Sequence, residues 1–167
     1  MHTIQRNAGT VPSTKIVYYK DNGVGEALKP GYALCYDIAE DLTPQGEEFG
    51  EMVRGIVVIK PATANLEFFA GIVKKVHQRL DNGIGSTDYS GFVEVYEPKY
   101  GTFVDAFCGA NIVVTEPLVP VDGQWWLVPA ATTDIAQDWP IAGVGQAAVT
   151  DATLTATPAN ALVMLRK

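Results

Sequence analysis

Histidine and cysteine, which often act in catalysis and as metal ligands, are scarce in this chain. Its 167 residues include two histidines, His2 and His77, and two cysteines, Cys35 and Cys108. No pair of them has zinc-finger spacing, and neither H-E-x-x-H nor C-x-x-C occurs, so the sequence predicts no metal ligands. The N-terminus lacks the apolar core of a signal peptide, which favours two buried free thiols over a disulfide bridge.

Basic side chains cluster at only one place, which consists of Lys74, Lys75, His77 and Arg79. The formal net charge is −7, and no Lys, Arg or His occurs between Lys99 and Arg166. An acidic chain repels the phosphate backbone of DNA or RNA, so no nucleic-acid partner is expected. We interpret His77 as a surface residue, and we expect the cluster to meet an acidic surface of a partner or of a second copy of the chain.

One glycine-rich segment has part of the pattern of a nucleotide-binding enzyme. Gly143-Val144-Gly145-Gln146-Ala147-Ala148 contains two glycines of the dinucleotide-binding fingerprint, but Ala148 stands where the third glycine belongs. That motif also needs a long helix after it, which the polar residues from Thr150 onward and Pro158 cannot supply. We therefore interpret the segment as a glycine pair at a strand edge or bulge, and we predict no cofactor.

A second segment, Gly83 to Gly91, resembles the third motif of the trimeric dUTPases, which are all-β enzymes. In that family an aspartate four residues before the Ser90 position activates the attacking water. Ser86 occupies this place here, and a serine cannot act as a base near neutral pH. No Arg-Ser-Gly phosphate-binding segment occurs either. Hydrolysis of dUTP therefore stays a minor alternative, and no catalytic residue is assigned.

Short β-prone runs separated by turn residues make up most of the sequence. Sixteen glycines and ten prolines divide it, and both residue types are unfavourable inside long helices. The run from Phe92 to Glu97 alternates with the period of two that is typical of a half-buried strand. About ten such runs predict an all-β fold, a small β-barrel or β-sandwich. The only helix predicted is short, Ala130 to Gln137, and no repeat with a period of about 20 to 50 residues is visible.

Residues 1–14 differ from the remainder because they show no sustained periodicity. We interpret them as a flexible, extended N-terminal arm, either frayed or ordered on a neighbouring subunit, followed by a single β domain over residues 15–167. Ile4, Arg6 and Val11 are the candidate partner-binding residues of the arm. Apolar runs such as Ile56 to Ile59 are far too short to cross a bilayer, so no membrane contact is expected.

Trp125 and Trp126 are adjacent in a predicted strand, Trp125 to Val128, and adjacent residues of a strand point to opposite faces. One indole can then fill the core, whereas the other needs a second cover. A further layer of the same chain would provide this cover, and so would a subunit or partner, because tryptophan is enriched at interfaces. Both tryptophans are therefore candidate partner-binding residues.

Five segments, taken together, resemble the head decoration (cement) proteins of tailed bacteriophages. Each consists of glycines spaced around apolar strand residues, and they are Leu28–Leu34, Leu66–Val73, Gly91–Val95, Gly143–Ala147 and Ala161–Leu165. The resemblance implies a small β-barrel or sandwich that forms homotrimers on the outside of a capsid and grips several subunits of the major capsid protein. Such proteins have no catalytic residues to carry over.

The expectation from the sequence is therefore a non-enzymatic virion protein that is made in the host cytoplasm, binds the capsid exterior and stabilises the head. Many weak contacts suit this role, because linked binding sites raise the effective affinity. A carbohydrate- or cell-surface-binding β module is the alternative, with an exposed Trp125 or Trp126 as its working part. A trimeric enzyme of the dUTPase kind is the third hypothesis.

Overall fold

The computed structural model describes residues 12–37, 57–79, 88–99, 102–109, 112–113, 116–131, 142–144 and 159–165. The fold is all-β, as predicted, and the described part contains no α-helix. One turn of 3-10 helix spans Thr63–Asn65. Within these ranges the ten strands are β1 (Thr14–Tyr19), β2 (Ala33–Tyr36), β3 (Val57–Ile59), β4 (Phe69–Arg79), β5 (Gly91–Tyr96), β6 (Thr102–Cys108), β7 (Pro117–Pro120), β8 (Leu127–Pro129), β9 (Ala142–Val144) and β10 (Ala159–Leu165).

Strands β1 to β5 close into a first barrel. Around the ring the order is β1-β3-β2-β4-β5, with β1 and β3 parallel and every other pair antiparallel. The alternation predicted from Phe92 onward is confirmed, because Gly91, Val93 and Val95 of β5 are buried and the residues between them are half-buried. Every strand of the ring has a neighbour on both sides, so closure leaves the barrel without a free sheet edge.

Strands β6 to β10 close into a second barrel that has the topology of the first. Its ring order, β6-β8-β7-β9-β10, is that of the first barrel with five added to each strand number. Strand directions agree as well: β6 and β8 are parallel, like β1 and β3, and the remaining pairs are antiparallel. The chain is thus a structural tandem repeat, with a unit longer than the periods of about 20 to 50 residues considered in the sequence.

The two barrels pack against each other through β2 and β4. Along β2, Leu34 belongs to the core of the first barrel, whereas Ala33 and Cys35 belong to the core of the second. Strand β4 alternates in the same way, with Ile72 in the second core and the next residue, Val73, in the first. Because successive residues of a strand point to opposite faces, these two strands are covered on both sides.

Main-chain hydrogen bonds also join the barrels. The amide of Phe107 donates to the carbonyl of Gly31 at 3.0 Å, and the amide of Ala33 donates to the carbonyl of Trp125 at 2.7 Å. Gly31 has a φ of 94°, and a Cβ at this position would lie 3.0 Å from the Phe107 ring, so the close approach favours glycine. The single domain over residues 15–167 stays a prediction; within it the described strands form two barrels that share contacts.

Two local features differ from the sequence analysis. Pro117–Pro120 forms β7, which the sequence does not predict because proline is rare in strand interiors. Its two prolines lie at the ends of the strand. The predicted helix from Ala130 to Gln137 begins with two residues, Ala130 and Ala131, that are not helical, and its remainder lies outside the described residues.

Candidate functional site

A cleft of about 300 Å³ lies where the N-terminal segment enters the first barrel. It combines the half-buried ring of Tyr36 with the charges of Lys15, Glu97 and Lys99, whereas Phe69 lies behind the cleft as a buried core residue. This mixture suits an extended peptide, whose apolar side chains would contact the Tyr36 ring and whose carboxylates would pair with a lysine. The full lining is Ser13, Lys15, Tyr36, Phe69, Glu97, Pro98 and Lys99.

Ser13 is anchored at this cleft, directly before the first strand. Its Oγ donates to Glu97 Oε2 at 2.5 Å, and the amide of Glu97 donates to the Ser13 carbonyl at 2.9 Å. Strand β1 begins at the next residue, Thr14. Ser13 and Thr14, which the sequence analysis assigns to the arm, therefore contact the barrel. The candidate partner-binding residues of the arm lie outside the described residues: Ile4, Arg6 and Val11.

Lys15 orients two other residues of the cleft. Its ammonium group donates a hydrogen bond to the Tyr36 hydroxyl and lies 4.5 Å from the centroid of the same ring. The ammonium group also lies 3.8 Å from Glu97 Oε1. Both side chains of this ion pair are partly exposed, so the pair adds little stability by itself. Lys99 is exposed, and its charge is therefore accessible to the carboxylate of a ligand.

Both tryptophans are buried within the chain, which corrects the expectation that they point to opposite faces of a strand. Strand β8 begins at Leu127, so Trp125 and Trp126 precede it and do not alternate across a sheet. Trp125 is 3 % exposed and Trp126 is 8 % exposed, and both belong to the core of the first barrel. A further layer of the same chain provides their cover, so neither indole is an exposed platform for a sugar or a partner.

Trp125 connects the loop between β7 and β8 to the first barrel. Its Nε1 donates to the carboxylate of Glu26, and its ring stacks on Tyr32 with centroids 5.0 Å apart. Lys60 Nζ lies 4.7 Å from the centroid of the indole and 3.3 Å from Glu26 Oε2. The hydrogen bond from Trp125 is the main reason that the pKa of Glu26 is lowered, and the hydrogen bond from Lys60 contributes. These contacts are those of a structural tryptophan.

The segment that resembles a dUTPase motif holds two loops together where the structure describes it. Both the amide and the Oγ of Ser90 donate to Asp88 Oδ1, at 2.8 and 2.6 Å. The same Oγ accepts a hydrogen bond from the amide of Asp21 at 3.0 Å. The carboxylate of Asp21 is buried and accepts hydrogen bonds from the amides of Gly25 and Tyr89. Residues 83–87, which include the position of Ser86, lie outside the described residues.

The basic cluster lies on β4, beside Glu94 of β5. Lys74 Nζ donates to Glu94 Oε1 at 2.8 Å, and His77 Nε2 lies 3.4 Å from Glu94 Oε2. Thr14 Oγ1 donates to the same carboxylate at 2.8 Å. The hydrogen bond from Lys74 is the main cause that lowers the pKa of Glu94 to about 2 and raises the pKa of Lys74. His77 is exposed, as predicted, and so is Lys75.

Cys35 and Cys108 are free and buried, as predicted. Burial raises the pKa of each thiol to about 12, so the reactive thiolate is scarce near neutral pH. Within the described ranges, no three His, Cys, Asp or Glu side chains are grouped as metal ligands. The same part of the chain has no helix with the length and apolar character that crossing a bilayer requires.

Sequence reasoning missed the cleft because its residues come from distant parts of the chain. Ser13 and Glu97 are 84 positions apart, and no local pattern links them. The one available signal is the turn sequence Glu97-Pro98-Lys99 directly after a predicted strand. No protein-family model matches the chain, and no curated protein matches it in sequence.

Proposed function

We propose that this chain is a capsid decoration protein, which binds the outside of the major capsid lattice of a tailed bacteriophage as a homotrimer and stabilises the head. The observation that carries the proposal is the anchored position of Ser13 beside the cleft, directly before β1, where it is bonded to Glu97. A segment with a fixed origin can cross to a neighbouring protein without loosening the barrel. In this proposal, the N-terminal arm and the cleft both bind the capsid protein.

The cleft binds an extended segment of the capsid protein in this proposal. The Tyr36 ring contacts its apolar side chains, and Lys99 pairs with a carboxylate. Each such contact is weak, because it is partly exposed to water. A lattice presents the same segment many times, and a trimer that engages several segments at once gains effective affinity from their linkage.

The segments that carry the resemblance to decoration proteins lie on strands of both barrels. Gly91–Val95 belongs to β5 and Ala161–Leu165 to β10, while Leu66–Val73 leads into β4. The all-β barrel is the architecture that the resemblance implies. The segments of the resemblance lie on both barrels, and this supports a proposal for the whole chain rather than for one part of it.

The proposed function is tested by co-sedimentation with empty heads that were assembled without this protein. The full-length chain should pellet with the heads, and a variant that lacks residues 1–11 should stay largely in the supernatant. The deletion ends there because Ser13 and Thr14 contact the barrel. Lys99→Glu should weaken pelleting, whereas Lys29→Glu, an exposed lysine outside the cleft, should not.

A full-length chain that remains in the supernatant would overturn the proposed function, and so would a deletion variant that pellets as well as the full chain. Retention on a glycan array by a chain that ignores the heads would favour the carbohydrate-binding alternative. Thermal unfolding of each variant shows whether a loss of pelleting reflects a loss of folding.

A further inference from the structure

The outer face of β1 and β5 is an apolar surface with a basic margin. Ile16 is 63 % exposed and lies opposite Glu94, and the next rung pairs Tyr18 with Phe92, whose rings are 5.6 Å apart and edge-on. Lys75 of β4 lies opposite Glu94 on its other side and is exposed. We call Ile16, Tyr18, Lys75, Phe92 and Glu94 the first face.

The equivalent strand pair of the second barrel, β6 and β10, has an apolar outer face with an acidic centre. Phe103 is 43 % exposed and lies opposite Met164. The next rung pairs the exposed Asp105 with Leu162, and both Leu162 and Met164 are half-buried. We call Phe103, Asp105, Leu162 and Met164 the second face.

The charges of the two faces are complementary. On the first face, Lys74 is bonded to Glu94, which leaves the neighbouring Lys75 as an exposed cation. The second barrel lies entirely between Lys99 and Arg166, and no Lys, Arg or His occurs between these two residues. Two second faces in contact would therefore bring like charges together, whereas a first face against a second face pairs opposite charges.

We propose that the first face of one copy binds the second face of the next copy. The apolar groups around Ile16 would cover Phe103, and Lys75 would pair with Asp105. A contact between two different faces is heterologous, and repetition of such a contact gives a closed ring when the rotation between copies closes. The contact itself is argued from the two faces, and only the ring size of three rests on the proposed function.

Two variants that each destroy one face test this arrangement by sedimentation equilibrium. The unmodified chain should sediment as a trimer of its 18.0 kDa mass. Ile16→Asp and Phe103→Asp should each sediment as monomers when alone. Mixed in equal amounts, they should form a 1:1 dimer, because one variant keeps an intact first face and the other an intact second face, but the ring cannot close.

Val113→Asp is the matched control, because Val113 is 65 % exposed and lies on neither face, and this variant should remain trimeric. Lys75→Glu and Asp105→Lys should each weaken the trimer, and the double charge reversal should restore it. An unmodified chain that is monomeric, an Ile16→Asp or Phe103→Asp variant that stays trimeric, or a mixture that stays monomeric would overturn the inference. A monomer that still pellets with heads would overturn this inference and the proposed trimer but leave the proposed attachment to heads standing, and a trimer that does not pellet would overturn the proposed function alone.

Discussion

Glu97 holds Ser13 at two points: its carboxylate accepts a hydrogen bond from the Ser13 hydroxyl, and its amide donates to the Ser13 carbonyl. Glu97 directly follows β5, and Ser13 directly precedes β1, so the clamp joins two neighbouring strands of the first barrel at the same end. The start of β1 is therefore held in a fixed position beside the cleft. The proposed attachment to a partner involves this end of the molecule for that reason.

Replacing Glu97 with alanine should loosen the clamp. The change removes the acceptor of Ser13 Oγ and the ion-pair partner of Lys15, and we expect a loss of about 1 kcal/mol in the free energy of unfolding, because both contacts are partly exposed. Ser13→Ala should lose less, since Glu97 then keeps Lys15. Urea unfolding measures both. An unchanged midpoint for Glu97→Ala, together with unchanged binding to heads, would show that the clamp has no role.

Asp21→Ala should be one of the most destabilising substitutions in the chain. The buried carboxylate accepts hydrogen bonds from the Tyr19 hydroxyl at 3.2 Å and from the amides of Gly25 and Tyr89, each at 3.1 Å. Its removal leaves the buried Tyr19 hydroxyl and two partly buried amides without this acceptor, which costs about 2 to 4 kcal/mol. Asp122→Ala removes an exposed carboxylate and should cost less than about 1 kcal/mol. Equal losses in denaturant unfolding would contradict the argument from burial.

Glu94 should make the stability depend on acidity. The hydrogen bond from Lys74, and then that from Thr14, lowers the pKa of this carboxyl from its ordinary 4.5 to about 2. A carboxyl with a lower pKa in the folded state stabilises the protein fully above pH 4.5, and this contribution is lost as the pH falls towards 2. The difference in Tm between the unmodified chain and Glu94→Gln should therefore shrink over this interval. A difference that stays constant would count against the assignment.

Gly71→Ala should prevent the correct pairing of β4 with β5. Gly71 has a φ of 142°, and a Cβ there would lie 2.1 Å from the carbonyl oxygen of Tyr96, so we expect a loss of more than about 3 kcal/mol or failure to fold. Gly123→Ala is the matched control. Gly123 has a φ of 68° but no atom within 4 Å of a Cβ, so only the backbone cost of about 1 kcal/mol applies. Similar Tm values for the two variants would refute the close contact.

The two cysteines should not react with a thiol reagent such as DTNB in the native protein. Burial raises the pKa of Cys35 and Cys108 to about 12, and the reagent requires an accessible thiolate. Both thiols should react after unfolding in guanidinium. Rapid reaction of the native chain would contradict their burial, and a native mass lower by two hydrogens would indicate a disulfide instead.

The sequence predicts the strands whose side chains alternate locally, as in β5, and the all-β class that follows from many such runs. It does not predict the surroundings of Trp125, because these depend on Tyr32 and Lys60, which lie far earlier in the chain. The sequence leaves two covers open for the second indole, and the chain itself provides this cover. The expectation that the two indoles point to opposite faces of a strand is wrong, because the strand begins two residues later, at Leu127. Both indoles are buried because the two barrels pack against each other. This burial produces no alternation of apolar and polar residues in a run as short as Trp125 to Val128.

The tandem repeat is equally invisible in the sequence, because the two barrels share their order of strand pairing and not their residues. In the first barrel Ile16 lies opposite Glu94, whereas in the second Asp105 lies opposite Leu162. Strand pairing is non-local, and one chain carries no direct record of it. The clamp between Ser13 and Glu97 is hidden for the same reason.

The proposed attachment to a capsid is tested most directly by a cryo-electron microscopy difference map between heads with and without this protein. We expect added density on the outer surface, in units that match three copies of the 18.0 kDa chain, each connected to adjacent capsid subunits. Identical maps, or added density only inside the shell, would contradict it.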